Sequence, residues 1–138
     1  MHVLLSFLSL MKTSDAALVA EWRELADRHA RAVSALERAL EDQHRLGVSE
    51  YEVLERLANA KKEDLRIQEL ADAVHLSQSA LSRVVARLES DGLVTRGICE
   101  YDRRGIFACI TDAGRDRYTA AKPTHRRVLA EVLGAQPR

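Results

Sequence analysis

Cysteine, proline and aromatic residues are all scarce in this sequence of 138 residues. The two cysteines lack a Cys-x-x-Cys spacing, which argues against a disulfide framework or a structural zinc site and indicates a reducing cytosol. The aromatic share is 4% and the hydrophobic share 46%, so a core of Leu, Val and Ala is expected, which favours packed helices over a large sheet. We therefore predict one mainly helical domain with its own core.

An excess of either charge sign is also lacking. Lys and Arg number 21, as do Asp and Glu, so the net charge does not indicate a nucleic-acid partner. The charges within residues 66–104 balance as well, with six basic and six acidic side chains. However, no acidic residue lies between Ser77 and Ala86, and any surface formed by that stretch is therefore locally positive.

The sequence motifs of enzymes are missing too. There is no glycine-rich phosphate loop, no His-Glu-x-x-His and no Gly-x-Ser-x-Gly, and the five histidines do not have the spacing of metal ligands. We expect a protein that is not an enzyme and has no catalytic residues, no cofactor and no metal.

An apolar run at residues 1–11 is much shorter than the ~20 residues that cross a bilayer, and no Lys or Arg precedes it. A membrane anchor is not expected, and a cytoplasmic location is. Two interpretations stay open: either Met11 is the true initiator, or the run packs against a partner subunit. We treat residues 1–13 as an N-terminal extension.

A long helix is predicted next, because no Gly or Pro occurs from Ser14 to His44 and apolar residues recur three and four positions apart. At roughly 45 Å it would overhang a domain of this size. We therefore assign residues 14–46 to a dimerisation helix, the alternative being a helix folded back onto its own domain. Trp22 and His29 share one face and are candidates for a ligand-binding pocket, although such residues are more often simply packed.

Short helices are predicted in the middle of the chain. A capping box, Ser49-Glu50-Tyr51-Glu52, starts a helix that runs to about Ala60. A second helix, Gln68 to His75, has apolar residues at i, i+3, i+4 and i+7. A turn of about three residues leads from it into a third helix, and this order is typical of a helix-turn-helix.

The third helix has two different faces and is bounded by Ser77, a predicted N-cap, and Gly92, a predicted positive-φ terminator. Short polar side chains would let its backbone approach a DNA groove, and Gln or Arg can reach base edges and phosphates. An ordinary helical hairpin would show Glu and Lys there instead. The apolar face comprises Ala80, Leu81, Val84, Val85 and Leu88, and the outer face Ser79, Ser82, Arg83 and Ala86.

A β-hairpin is predicted after Gly92, with strands at residues 93–99 and 105–111 around a polar loop at 100–104. A hairpin in this place is typical of a wing. Arg103 and Arg104 would lie at its tip, where a side chain can enter a minor groove; a solvated turn is the alternative.

The cysteines are expected to be ordinary strand residues, with a redox-sensing role as the alternative. In a regular hairpin Cys99 would lie near Gly105 and Cys109 near Thr95. The two sulfurs would then be too far apart for a disulfide within one wing.

The last helix is predicted from Asp112 to about Ala121, after the hydroxyl cap of Thr111. Pro123 should break or kink it before a helix resumes from Thr124 to Leu133. The predicted fold class is therefore mainly α with minor α+β character: a winged helix-turn-helix at residues 47–111, between the dimerisation helix at 14–46 and a C-terminal helical segment at 112–138.

Four segments resemble the MarR family of bacterial winged-helix regulators: residues 67–74, 77–94, 102–105 and 110–115. The most specific features are the "LExxGLV" end of the recognition helix, the "D-x-R" wing and the "T-x-x-G-R" start of the last helix. The likeness covers about residues 15 to 133. It implies a homodimer, built from the first and last helices, that places one recognition helix per subunit in successive major grooves.

The resemblance also implies individual DNA contacts. Arg104 would be the minor-groove arginine of the wing, Asp102 would orient it, and Arg103 would contact phosphate. Arg87 would reach phosphate or brace the wing. The residues implied to face the major groove are Ser77, Gln78, Ser79, Ser82 and Arg83.

The expected function is that of a sequence-specific DNA-binding transcriptional regulator, a repressor acting as a homodimer on a pseudo-palindromic operator in double-stranded DNA. The resemblance implies release by a small aromatic or phenolic effector. It does not imply peroxide sensing, because Cys99 lies in the wing rather than in the first helix. A winged-helix module for protein–protein contact is the alternative, and the zero net charge is its best support.

Overall fold

The computed structural model describes residues 14–61, 64–99 and 102–134. Within these ranges the chain forms five helices and a small antiparallel sheet, which confirms the predicted mainly helical class. The elements are α1 (Asp15–His44), α2 (Val48–Ala58), β1 (Asp64–Arg66), α3 (Ile67–Ala73), α4 (Gln78–Ser90), β2 (Val94–Cys99), β3 (Asp102–Ile110) and α5 (Asp112–Leu133).

Helix α1 is the predicted long helix. The Ser14 side chain caps its start by accepting a hydrogen bond from the Ala17 N–H at 3.2 Å, and Arg45 ends it in the left-handed region at φ 54°. Leu36 and Leu40 in its second half are buried in the core. Its first half buries no large apolar residue among the described part of the chain, so α1 extends beyond its own core. The predicted N-terminal extension, residues 1–13, lies outside the described residues.

The start of α2 differs from the prediction. The N-cap is Gly47 rather than Ser49, and Glu50 instead of Glu52 returns to it, its Oε1 accepting from the Gly47 N–H at 3.2 Å. Glu37 of α1 accepts from the next free amide, Val48 N–H, at 2.6 Å. The predicted capping box is therefore wrong: the helix starts before Ser49, and the carboxylates of Glu50 and Glu37 accept from its first free amides.

The helix-turn-helix is formed by α3 and α4, and the predicted boundaries of α4 are confirmed. Ser77 Oγ accepts from the Ala80 N–H at 3.2 Å, and Gly92 follows the helix at φ 75°. The turn between the helices contains His75 at φ 58°, a conformation that costs a non-glycine residue energy. Leu81, Val85 and Leu88 are fully buried and fix α4 on the core.

The sheet has the order β1-β3-β2, so a short strand preceding α3 adds an edge that was not predicted. Thr95 pairs with Cys109 as expected. Cys99, however, pairs with Asp102 instead of lying near Gly105, because the register shifts after Ile98. Backbone pairing continues through the polar residues assigned to the loop, and Arg103 and Arg104 therefore belong to β3 rather than to the tip.

Helix α5 is continuous through Pro123, so the predicted end near Ala121 is wrong. A proline inside a helix costs roughly 3 kcal/mol, and packing must offset that cost. The side chains around Pro123 are buried against the rest of the protein: Ala121, Thr124 and His125 are all covered. His44 Nε2 of α1 also lies 2.8 Å from Thr124 Oγ1.

Candidate nucleic-acid interface

The outer face of α4 is exposed along its length, as its sequence pattern predicts. Gln78, Ser79, Ser82 and Arg83 are all exposed, and the Ser77 and Ser79 hydroxyls lie 3.3 Å apart at the start of the helix. Small side chains leave the backbone of this first turn accessible. The face can therefore approach a partner surface closely and offer amide, hydroxyl and guanidinium donors to it.

The charge on this face is positive. Among the described residues no carboxylate forms an ion pair with Arg83. Arg87, one turn later, has 73% of its side chain exposed and reaches Glu50 of α2, with 3.6 Å between Nη1 and Oε1. Its predicted contact with phosphate or the wing stays a prediction. The face thus presents one guanidinium without an ion pair and one beside a buried acid.

A groove of about 350 Å³ runs between the start of α3, the outer face of α4 and β3. We call it the α3–α4 groove. It brings the predicted residues Gln78, Ser79 and Ser82 together with side chains that the sequence reasoning missed. One of these is Gln68, which could have been identified because it is a polar residue outside the apolar pattern at the start of α3. The missed lining residues are Arg66, Ile67, Gln68 and Ile106.

The end of α4 holds the wing. Glu89 accepts three hydrogen bonds from Arg96 of β2: from the backbone N–H at 3.2 Å, from Nε at 3.2 Å and from Nη2 at 3.0 Å. Hydrogen bonding from the Arg96 side chain lowers the pKa of the Glu89 carboxyl. The glutamate in "LExxGLV" therefore couples the recognition helix to the first wing strand. The side chains of Asp102, Arg103 and Arg104 lie outside the described part of the wing.

The start of α5 is held against the end of α4. Thr111 donates from its backbone N–H to the Leu93 carbonyl at 3.1 Å, and its Oγ1 accepts from the Gly114 N–H at 3.0 Å. A Cβ on Gly114 would lie 2.1 Å from the Leu93 carbonyl oxygen, so only glycine fits there. The threonine and glycine of "T-x-x-G-R" thus meet the "GLV" turn directly.

A polar and aromatic cluster joins α2 to α5. Glu55 Oε2 accepts from Arg126 Nη2 at 2.7 Å and from the Tyr51 hydroxyl at 3.0 Å, while the Tyr51 ring stacks on His125 with centroids 4.3 Å apart. The Tyr118 hydroxyl donates to the same carboxylate at 3.4 Å. The cluster fixes the winged domain relative to α5.

The charges within this cluster shift its titrating groups. Burial raises the pKa of Glu55, but hydrogen bonds from Arg126 and Tyr51 outweigh it, and the net pKa is lowered. Burial, with a smaller contribution from Arg126, lowers the pKa of His125. Arg126 Nη1 lies 2.6 Å from His125 Nδ1, and a guanidinium can only donate, so His125 is neutral and accepts through Nδ1.

The two ligand-pocket candidates are not gathered into a pocket. Trp22 and His29 lie on exposed turns of α1, and Trp22 is 68% exposed. Neither lines the cavities that flank α4 or that lie beside α2 and α5 in the described chain. Cys109 is half-buried and free, whereas the Cys99 side chain lies outside the described residues.

Within residues 14–61, 64–99 and 102–134, no group of three His, Cys, Asp or Glu side chains could hold a metal ion. No helix in those ranges is long and apolar enough to cross a bilayer.

Comparison with known proteins agrees with this architecture. Residues 46–106 match the model of the MarR family. The crystal structure of AbsC, a MarR family transcriptional regulator from Streptomyces coelicolor, is 31% identical and superposes with a TM-score of 0.76 over 86% of this chain and 78% of that one. The chain belongs to the MarR family.

Two further relatives are similar to this MarR family protein. Sco3205 from Streptomyces coelicolor, solved in complex with DNA, is 29% identical with a TM-score of 0.82, over 92% of this chain and 79% of that one. The HTH-type transcriptional regulator MhqR of Bacillus subtilis (strain 168) is 32% identical over 90 residues, which are 65% of this chain and 61% of MhqR. The chain thus spans about three fifths of that curated relative. Each of these relatives is named as a regulator, in agreement with the expectation that the chain is not an enzyme.

Proposed function

We propose that this MarR family protein is a cytoplasmic, sequence-specific DNA-binding transcriptional regulator that reads the major groove with α4. The observation that carries the proposal is the outer face of α4: short exposed side chains surround Arg83, which has no ion pair among the described residues. A cation left without an internal partner on such a face is suited to phosphate or guanine. The DNA complex of the related Sco3205 supports the same use of the fold.

The proposed contacts divide by groove. Ser77 caps α4, and its first two turns, the part of a recognition helix that meets base edges, carry Gln78, Ser79, Ser82 and Arg83. In the wing, Arg104 is proposed for the minor groove, with Asp102 orienting it and Arg103 on phosphate. The position of all three in β3, directly after the hairpin turn, supports this assignment.

A homodimeric repressor on a pseudo-palindromic operator is the finer part of the proposal. Its support is the first half of α1, where large apolar side chains are exposed: Leu18, Val19, Trp22 and Leu25. Such a stripe is suited to burial against a second copy. Two copies of α4 about one helical turn apart would then read two half-sites.

A small aromatic or phenolic effector remains a proposal drawn from the family. Trp22 and His29 are exposed in one chain, so a pocket lined by them would have to be completed by the partner subunit. Release of DNA by such a compound would support this part of the proposal.

The deciding experiment selects bound fragments from random double-stranded DNA with the purified protein. Enrichment of a two-fold symmetric site that Arg83→Ala no longer enriches would support DNA reading by α4. Arg56→Ala is the matched control, because it removes an exposed arginine from α2 rather than from α4. If wild-type protein enriches no sequence, the alternative of a protein–protein module is favoured.

A further inference from the structure

Two arginines on α4, Arg83 and Arg87, lie one helical turn apart but have different surroundings. Both line a second groove of about 240 Å³, the α2–α4 groove, together with the start of α2. Arg83 has no ion pair among the described residues, whereas Arg87 faces the carboxylate of Glu50 at 3.6 Å. The two guanidiniums are therefore not equivalent phosphate ligands.

The partner of Arg87 is a buried acid. The Glu50 side chain is 8% exposed, and its Oε1 serves both the Gly47 N–H at 3.2 Å and the Arg87 guanidinium. Burial raises the pKa of Glu50, while the Gly47 hydrogen bond and the charge of Arg87 oppose that rise. A charged carboxylate taken out of water is costly unless it is paired. Arg87 provides that pairing.

A phosphate that binds Arg87 would share the guanidinium with this partner, whose carboxylate already offsets part of its positive charge. The other donors of the exposed guanidinium can still reach a phosphate, but the negative charge of Glu50 beside them opposes the approach of a second anion. The net gain from such a contact is smaller than for Arg83, which has no ion pair in the described part of the chain.

We propose that Glu50 is a positioning residue that pairs with Arg87, offsets its charge and so limits sequence-independent binding to the DNA backbone. The inference rests on the proposed DNA-binding function. Its consequence concerns sequence-independent affinity, which rises with the number of phosphates that Lys and Arg neutralise. By offsetting the charge of Arg87, Glu50 weakens binding to random DNA.

The test measures affinity for a random-sequence duplex as a function of salt. Glu50→Gln retains an oxygen that can accept from the Gly47 N–H but removes the charge that holds Arg87. Each added phosphate contact steepens the slope of log K against log salt by about 0.9. We expect Glu50→Gln to steepen the slope by roughly that amount per bound subunit and to bind several-fold more tightly at low salt.

Glu37→Gln is the matched control. Glu37 lines the same α2–α4 groove and caps Val48, but forms no ion pair with Arg87, so removing its charge should leave the slope unchanged. Arg87→Ala should change little in the wild-type background. In the Glu50→Gln background, Arg87→Ala should return the slope of log K against log salt to its wild-type value.

Two results would overturn the inference: a Glu50→Gln slope equal to that of the wild type, or an Arg87→Ala variant that flattens the wild-type slope as much as Arg83→Ala does. The second comparison changes only the exposed side chains of Arg83 and Arg87, so it tests the inference even if Glu50→Gln does not fold. If the wild type binds no duplex at all, the proposed function itself fails. That outcome is distinct from binding with an unchanged slope.

Discussion

The Thr111 hydroxyl donates a hydrogen bond to the carbonyl oxygen of Gly92 at 2.7 Å, which ties the first residue before α5 to the turn that ends α4. The same side chain caps α5 through the Gly114 N–H. One threonine therefore links the turn that ends the recognition helix to the start of α5. The position of α4 relative to α5 is consequently fixed by a few short contacts rather than by a large interface.

Gly114→Ala should destabilise the protein by about 1–3 kcal/mol, because the new Cβ would meet the Leu93 carbonyl oxygen, which is backbone and can move only with the turn. Urea unfolding followed by circular dichroism gives the change in the free energy of unfolding. Gly97→Ala in β2 is the control, since its Cβ would meet nothing within 4 Å. Equal free energies of unfolding for the two variants would show that the turn at Leu93 can move to accept the new Cβ without loss of stability.

The features of α4 that could be predicted from sequence are local. Ser77 caps the helix, Gly92 ends it and the apolar stripe faces inward, because these depend on residues within a few positions of one another. Features set by distant residues were missed or misassigned. Glu37 of α1 accepts from the Val48 N–H at the start of α2, whose N-cap is not the predicted Ser49. The pairing of Glu50 with Arg87 also joins residues far apart in sequence.

Two predictions failed because tertiary structure outweighed local preference. Pro123 stops an isolated helix, yet the buried neighbours Thr124 and His125 hold α5 on the core through it. In the wing, hydrophobic alternation located both strands but did not reveal the shift in register after Ile98. As a result Arg103 and Arg104, which were assigned to the loop, belong to β3. Side-chain pattern does not report such irregularities.

Arg83→Ala and Arg104→Ala should each weaken operator binding by about 1–3 kcal/mol, if the contacts are bidentate. Arg83→Ala should also change base preference, since a major-groove contact specifies sequence. Arg104→Ala should mainly lower overall affinity. Gel-shift titration against the selected site and its single-base variants separates the two effects. Unchanged affinity in both variants would contradict the assignment of α4 and the wing as the DNA-reading elements.

Trp22→Glu should shift the protein from dimer to monomer, because it places a charge in the exposed apolar stripe at the start of α1. Sedimentation equilibrium at micromolar concentration measures the shift. Arg23→Glu tests whether an added negative charge on the same turns is sufficient, since Arg23 is exposed beside the stripe but is not apolar. A wild-type monomer at that concentration would contradict the dimer proposal itself.

Stability should fall as the pH drops below about 6.5, the ordinary pKa of histidine. His125 has a lowered pKa in the folded protein, so the unfolded chain binds a proton there more readily than the native state does. The contribution of neutral His125 to the free energy of unfolding is therefore complete above that pH and is lost progressively below it. Protonation would remove the Nδ1 acceptor that faces Arg126 and place two cations together.

The charged and titratable groups around His125 define the control for this pH effect. Tyr51 stacks on the imidazole, Arg126 contacts Nδ1, and the charge of the Glu55 carboxylate opposes the lowering of the His125 pKa. Glu55 itself has a lowered pKa, so its contribution is lost only near and below its ordinary value of 4.5. His125→Gln retains an acceptor for Arg126 but cannot titrate. Urea unfolding between pH 7.5 and 5.5 should show a decline in the wild type that is smaller in His125→Gln, and parallel declines would assign the effect to other groups.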